Sequence, residues 1–376
     1  MIQISRKLRV ALSGRSRLRA NRAPTKSRFL KLDIGNFSRR TILTGAGWTR
    51  NWGGRLAAEL WQDLIGHRVI QSNSRLRDLL LSESSFETTL GVVQAEPFAA
   101  GDRQAFEGAL LDAFIAMDRE VMHIPDPWIN IYKVQELLFR FCGRHAEGIH
   151  AGYMFTLNQD LWPERYLYNE HVSGALSPSL PAIRARPNQR LFTTDIGFYS
   201  PEFVMDPMAD PAGQGQLHGH FNVIKLHGSF NWRTADARRA LVVGTEKSGQ
   251  IAASPLLAWY FDIFRTVISA GDVRLMVAGY GFGDEHVNAA IADAIEHHGL
   301  KVFIWDTGPN LKERVLAAPG KMNRRDMLDL GELLERINQL INEYMRASTP
   351  ERLAFLEAEI TAAKEKLQRI AASFRN

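Results

Sequence analysis

At 376 residues and 45% hydrophobic content, the chain is long enough for one large α/β domain with helical additions and apolar enough to bury a core. No apolar run reaches the roughly 18 residues of a membrane span, the N-terminus lacks the apolar centre of a secretory signal, and one cysteine excludes disulfides and cysteine-based zinc modules within the chain. A cytoplasmic globular protein without membrane contact is therefore expected. The formal charge of +5 is unevenly spread: residues 1–40 carry twelve Lys and Arg against one acid, Asp33, while the rest carry 34 basic against 40 acidic residues, a net −6.

The leader 1–40 could serve as a nucleic-acid arm or a transit peptide, or be a disordered extension. Only Phe29 and Phe37 interleave its charge, which favours the extension over nucleic-acid binding. The first convincing element is a strand over Thr41–Thr44, followed by Gly45-Ala46-Gly47 and a helix from about Arg55 to Ile65 that Gly66 is placed to end. Helical spacing then runs through about residues 67–148 and reads as an insertion over a sheet. Cys142 lies there among Leu137, Leu138, Phe139 and Phe141, a core-packing environment.

A short apolar strand, Tyr153–Thr156, leads into Leu157-Asn158-Gln159-Asp160. A Pro- and Gly-bearing stretch over about 163–220 reads as a lid or set of surface loops. A strand over Phe221–Leu226 ends at His227-Gly228. The remainder alternates: strand Ala240–Val243, helix Pro255–Ser269, strand Val273–Ala278, the turn Gly279-Tyr280-Gly281-Phe282-Gly283-Asp284, helix Glu285–His297 and strand Lys301–Trp305, closed by Asp306. That alternation predicts a Rossmann-like, doubly wound parallel sheet. Residues 320–376 are polar and helical. Leu353, Leu356, Ile360, Ala363, Leu367, Ile370 and Phe374 form a heptad seam that fits either self-association or the chain's own helix bearing Leu333, Ile337, Leu340 and Tyr344.

Both glycine turns join a strand to a helix, where backbone N–H groups can meet phosphate or ribose oxygens. The first departs from the common dinucleotide fingerprint, with Arg50 in place of a third glycine, which disfavours a dehydrogenase. Asp284 fits a helix N-cap better than a ligand contact, and Asp306 stands at a strand end where ligands bind open α/β sheets. Asn158, Asp160 and His227 each follow a strand, so all should emerge at one carboxyl edge with the glycine turns. His218 and His220 lack a third partner at suitable spacing for a metal.

Taken together, Gly45-Ala46-Gly47, Thr156-Leu157-Asn158-Gln159-Asp160, Lys225-Leu226-His227-Gly228 and Gly279 to Asp284 occur in the order seen in sirtuins. The chain more closely resembles the bacterial sirtuin-like NADases of antiphage defence, also through Ser85-Phe86-Glu87 and Asp284-Glu285-His286-Val287-Asn288. The resemblance spans about 40–308. It implies NAD as substrate, Asn158 and His227 as the catalytic pair, phosphate contacts from Gly45, Ala46 and Gly47, and adenosine-side contacts from Gly279, Gly281, Asp284 and Asp306. It also implies an Asp160 contact to the nicotinamide amide and no metal. Asn51-Trp52-Gly53-Gly54-Arg55 replaces the Pro-Asp-Phe-Arg stretch of deacetylating sirtuins, and with no four-cysteine zinc module deacetylation is disfavoured. The expected reaction is hydrolysis of NAD to nicotinamide and ADP-ribose; a non-catalytic NAD or ADP-ribose sensor is the alternative. The resemblance further implies a homo-oligomer and a HerA-type ATPase partner.

Overall fold

A computed structural model describes residues 32–35, 37–83, 85–94, 98–122, 133–134, 137–138, 151–167, 178–185, 205–215, 217, 221–234, 239–244, 246–305, 336, 339–340, 343–344, 346 and 349–373. Nearly all of the basic leader, Cys142, His218, His220, Asp306 and most of the expected lid lie outside the described residues.

Six strands form one parallel sheet: β1 (Arg40–Thr44), β2 (Gly152–Thr156), β3 (Pro178–Ser179), β6 (Phe221–Lys225), β9 (Arg274–Ala278) and β10 (Lys301–Trp305). Their spatial order is β10-β9-β1-β2-β6-β3, with every pairing parallel. The chain steps outward from β1 to β2 and on to the edge strand β3, comes back to lay β6 between β2 and β3, then crosses to the other side of β1 for β9 and β10. The reversal places a topological switch point between β1 and β9, as in a doubly wound Rossmann-like fold. β2 and β6 are buried at every position. Burial on both faces explains why these strands read as unbroken apolar runs rather than as an alternation.

A second, smaller sheet has the order β4-β5-β7-β8 and contains β4 (Ile183–Ala185), β5 (Met205–Pro207), β7 (Gly228–Arg233) and β8 (Arg239–Leu241). This corrects the expectation that a strand near Ala240–Val243 belongs to the parallel sheet. β8 runs antiparallel to β7, because the chain turns at Leu226-His227 and starts a new strand at Gly228. Gly228 takes φ +72°, and a Cβ there would lie 1.9 Å from the Ala240 carbonyl oxygen, so the sharp turn requires glycine.

The first glycine turn runs straight into a one-turn helix, α1 (Ala46–Thr49), and a 3₁₀ turn, Arg50–Trp52, which Gly53 ends with φ +82°. α2 (Ala57–Gly66) follows, so the helix expected from Arg55 begins two residues later. Gly66 is its last residue, and His67 starts α3 (Arg68–Ser72) by accepting from the Val69 amide. With α3, the helices α4 (Ser74–Ser82), α5 (Phe86–Gln94) and α6 (Ala100–Met122) lie within the expected helical insertion. Trp48 and Trp52 pack with Trp162, with ring centroids 5.2–6.2 Å apart, fixing the first turn against the residues after β2.

α7 (Trp162–Tyr166) and the short α8 (Pro211–Gln214) precede α9 (Lys247–Ala253), α10 (Pro255–Ile268) and α11 (Glu285–His298). α10 starts at the Ser254 cap and buries nine of its residues. α12 (Pro350–Ser373) carries the heptad seam. Leu356 and Ala363 are buried and Leu353 is half-buried, while the side chains of Leu367, Ile370 and Phe374 lie outside the described residues. α12 meets its own chain: Tyr344 donates to Glu357 at 2.8 Å, and Arg352 and Arg336 pair with Glu343 and Glu359. Among the described residues no single helix is long and apolar enough to cross a membrane.

Candidate functional site

The carboxyl ends of β1, β2, β6 and β9 bring most of the expected residues to one edge. Thr156 at the end of β2 is in register with Lys225 at the end of β6, so Asn158 and His227 each stand two residues beyond a matched pair on adjacent strands. On the other side of β2, Gly45 follows β1 and Gly279 follows β9, flanking the switch point.

The two glycine turns pack against each other. The Gly45 amide donates to the Ala278 carbonyl at 3.0 Å and the Gly47 amide to the Gly279 carbonyl at 2.9 Å. A Cβ on Gly45 would come within 2.7 Å of the Gly279 oxygen, and one on Gly279, which has φ +64°, within 2.2 Å of the Trp48 nitrogen. Close backbone packing therefore accounts for Gly45, Gly47 and Gly279 by itself. Gly281 and Gly283 differ: a Cβ on either meets nothing within 4 Å, and both are exposed, so the open space of the site is at the second turn.

Asn158 is buried, and its Nδ2 donates to the Gly45 carbonyl at 3.0 Å and to Thr49 Oγ1 at 3.2 Å. A carbonyl can only accept, so the amide orientation is fixed with Oδ1 turned away from the turn. Asp160 is bound within the protein: Oδ2 accepts from Thr49 Oγ1 at 2.9 Å and Oδ1 from the Trp162 amide at 3.0 Å. Burial raises its carboxyl to about 6, opposed by Lys225. Thr49 thus links Asp160 to Asn158, a role no sequence pattern pointed to.

His227 is only 2% exposed. Its Nε2 lies 3.1 Å from His286 Nε2, and its ring also hydrogen-bonds the Leu157 backbone. Burial first, then Lys247 and His286, lowers its pKa to about 3 against the opposing charge of Asp284, so the ring is neutral near pH 7. With Nε2 turned to His286, the Leu157 carbonyl accepts the Nδ1 proton. His286 is half-buried and is also lowered, mainly by burial.

Asp284 occupies the N-cap position of α11, but its side chain makes no capping hydrogen bond. Its carboxylate instead pairs with Lys247 at 2.8 Å, and Lys247 also pairs with Glu87 at 2.8 Å. The capping expectation is thus corrected: the local helix amides lose to a cation delivered by α9. Tyr280 supports the loop, donating to Asn288 Oδ1 at 3.0 Å and accepting from the Asp284 amide at 3.0 Å. Histidine and carboxylate ligand atoms of His227, Asp284 and His286 lie within 4.8 Å of one another, a donor set of the kind that holds a metal ion.

Lys225 is fully buried behind this edge and donates to the Asp160 carbonyl, Glu164 and Ser229 at 2.5, 3.0 and 2.8 Å. It joins the segment after β2 to the start of β7. A separate cavity of about 420 Å³, lined by Leu90, Leu110, Phe114, Phe230, Leu241 and Val243, lies between the insertion and the second sheet and contains none of the candidate site residues. The expected residue Asp306 lies outside the described residues.

A scan against models of known protein families finds no match to the chain, and a search of curated proteins finds no relative.

Proposed function

We propose that this protein cleaves NAD at the nicotinamide–ribose bond and transfers the ribosyl carbon to water, giving nicotinamide and ADP-ribose. The observation that carries the reading is the meeting of Asn158 and His227 in matched register on β2 and β6, beside the β1–β9 switch point where doubly wound sheets bind nucleotides. The diphosphate lies over the joined turns, with Gly281 and Gly283 as the open positions. The sequence resemblance to sirtuin-like NADases supports the same pair of residues.

In this reading Asn158 positions the attacking water or a ribose hydroxyl through Oδ1, since its Nδ2 is held by Gly45 and Thr49. His227, neutral in the free protein, accepts a proton at Nε2, for which the substrate hydroxyl displaces the His286 ring. Asp284 and the negative charge of the substrate diphosphate raise its basicity as the complex forms. Asp160, bound to Thr49 and Trp162, steadies Asn158 rather than reaching the substrate. Regulation by a HerA-type ATPase, oligomerisation and a role in antiphage defence follow from the resemblance alone. The test is NAD consumption by the purified chain, alone and with a neighbouring ATPase, for wild type, Asn158→Ala and His227→Ala. Loss abolished by both substitutions supports the hydrolase; NAD binding without loss under every activating condition replaces it with a sensor.

A further inference from the structure

The geometry points to a second ligand for the same edge: His227, His286 and Asp284 form a three-ligand site for a transition-metal ion of the Zn²⁺ class. Two imidazole nitrogens on one tetrahedral zinc, each about 2.05 Å from the ion, stand about 3.3 Å apart. His227 Nε2 and His286 Nε2 are 3.1 Å apart, a separation that an ion bound to both can keep once the two rings tilt to aim their lone pairs at it. Asp284 completes the set.

The surroundings of the three ligands fit the same conclusion. A histidine that binds a metal commonly passes its other ring proton to a backbone carbonyl or carboxylate, and a ligating carboxylate is itself hydrogen-bonded. His227 has the first arrangement, through the Leu157 carbonyl. Asp284 has the second, through Lys247 on Oδ1. Its carboxylate is also free of the helix amides it would otherwise cap, and points to the histidines and Lys247 instead. Lys247 does not make the site repulsive to a cation, because Asp284 and Glu87 both pair with it and the three side chains together carry one negative charge. Half-buried His286 and Asp284 provide the entry side, while His227 closes the back. Three protein ligands leave the fourth position open to water.

An ion bound here takes the His227 Nε2 lone pair. On the proposed hydrolase reading, metal occupancy and NAD hydrolysis therefore exclude one another, and the ion is an inhibitor; the site itself does not depend on that reading. Each ring binds the ion through Nε2 and keeps its one proton on Nδ1, so the neutral pair takes up the ion by a tautomer shift of the ring that had donated, with no proton released.

The experiment uses the full chain, stripped with a chelator and titrated with Co²⁺, followed by Zn²⁺ displacement. Wild type is expected to bind one Co²⁺ with the visible d–d bands of a low-coordinate site, which Zn²⁺ abolishes. His286→Ala and Asp284→Asn should each weaken binding at least tenfold, and His297→Ala, at an exposed histidine on the far end of α11, should leave it unchanged. His286→Gln serves in place of His286→Ala if the latter does not fold. Absence of the bands, or bands that survive both substitutions, overturns the site. NAD hydrolysis is measured in parallel: a cobalt site in a chain that never consumes NAD sinks the hydrolase alone, and NAD loss in a chain with no cobalt site sinks the metal site alone. With both present, Zn²⁺ at the filling concentration must suppress hydrolysis in wild type, and hydrolysis undiminished at full occupancy removes the inhibitory role.

Discussion

Asn158 Nδ2 donates to the Gly45 carbonyl at 3.0 Å, so the polar side chain after β2 is held by the backbone turn after β1. Each constrains the other: the turn orients the amide, and the amide satisfies a carbonyl at the sheet edge. Asn158→Ala removes both donor contacts and should cost about 1–3 kcal/mol of stability while lowering NAD hydrolysis at least a hundredfold. Asn158→Asp is the sharper probe. It is nearly isosteric but sets a carboxylate against the Gly45 oxygen, so it should be less stable than Asn158→Ala. Chemical denaturation of both variants checks the order; equal stabilities would show that Gly45 is not the anchor.

The glycines of the second turn should separate in a substitution series. Gly279 sits at φ +64° with the Trp48 nitrogen 2.2 Å from a Cβ, so Gly279→Ala must push the two turns apart and should cost about 3 kcal/mol or more. Gly281→Ala meets open space and should change stability by less than about 0.5 kcal/mol. If NAD crosses that space, the same methyl group should weaken NAD binding about tenfold, measured by calorimetry. Unchanged affinity in a fully folded Gly281→Ala protein would move the ligand away from this turn.

Much of the sheet was legible because β2, β6 and β9 are buried on both faces and so are written as short apolar runs bounded by polar or glycine residues. The second sheet was not. β7 begins at Gly228, directly after the two-residue turn, and its Phe230, Asn231 and Trp232 give no clean alternation because the strand is buried through Asn231 and Trp232 as well. At the site, strand-end placement was enough to locate Asn158, Asp160 and His227. Their partners were invisible: Thr49 reaches Asn158 across 109 residues, and Lys247 reaches Asp284 from a helix that the sequence pattern did not indicate. From sequence Asp284 reads as a cap because the residue before a helix is judged against that helix alone. His286 belongs to the Asp284–Asn288 motif, yet only the fold sets its ring against His227.

Asp160 gives the site a pH signature. Burial raises its folded pKa to about 6 from an ordinary 3.8. The folded protein therefore binds more protons than the unfolded chain between about pH 4 and pH 6. Stability from this group is fully present below pH 4 and is lost as pH rises through 6. A shift of about two units corresponds to roughly 3 kcal/mol at most, with Lys225 opposing it. Other carboxylates titrate in the same window, so the informative quantity is wild type minus Asp160→Asn, measured by urea denaturation from pH 4 to pH 7. That difference should fall as pH rises. A flat difference would mean that the carboxyl is charged at an ordinary pKa in the folded state.

Lys225 and Glu164 should behave as a coupled pair. Both side chains are buried, with Nζ 3.0 Å from Oε1, and Lys225 also holds the Asp160 carbonyl and Ser229. Lys225→Met leaves the Glu164 carboxylate buried without its cation and should cost about 3–5 kcal/mol. Adding Glu164→Leu removes the stranded charge, so the double variant should recover much of that loss, although Asp160 and Ser229 still lose a donor. A thermodynamic cycle on wild type, the two single variants and the double variant measures the coupling. A double variant no more stable than Lys225→Met would place the value of Lys225 in its contacts to Asp160 and Ser229, the contacts that hold the two halves of the candidate site in register.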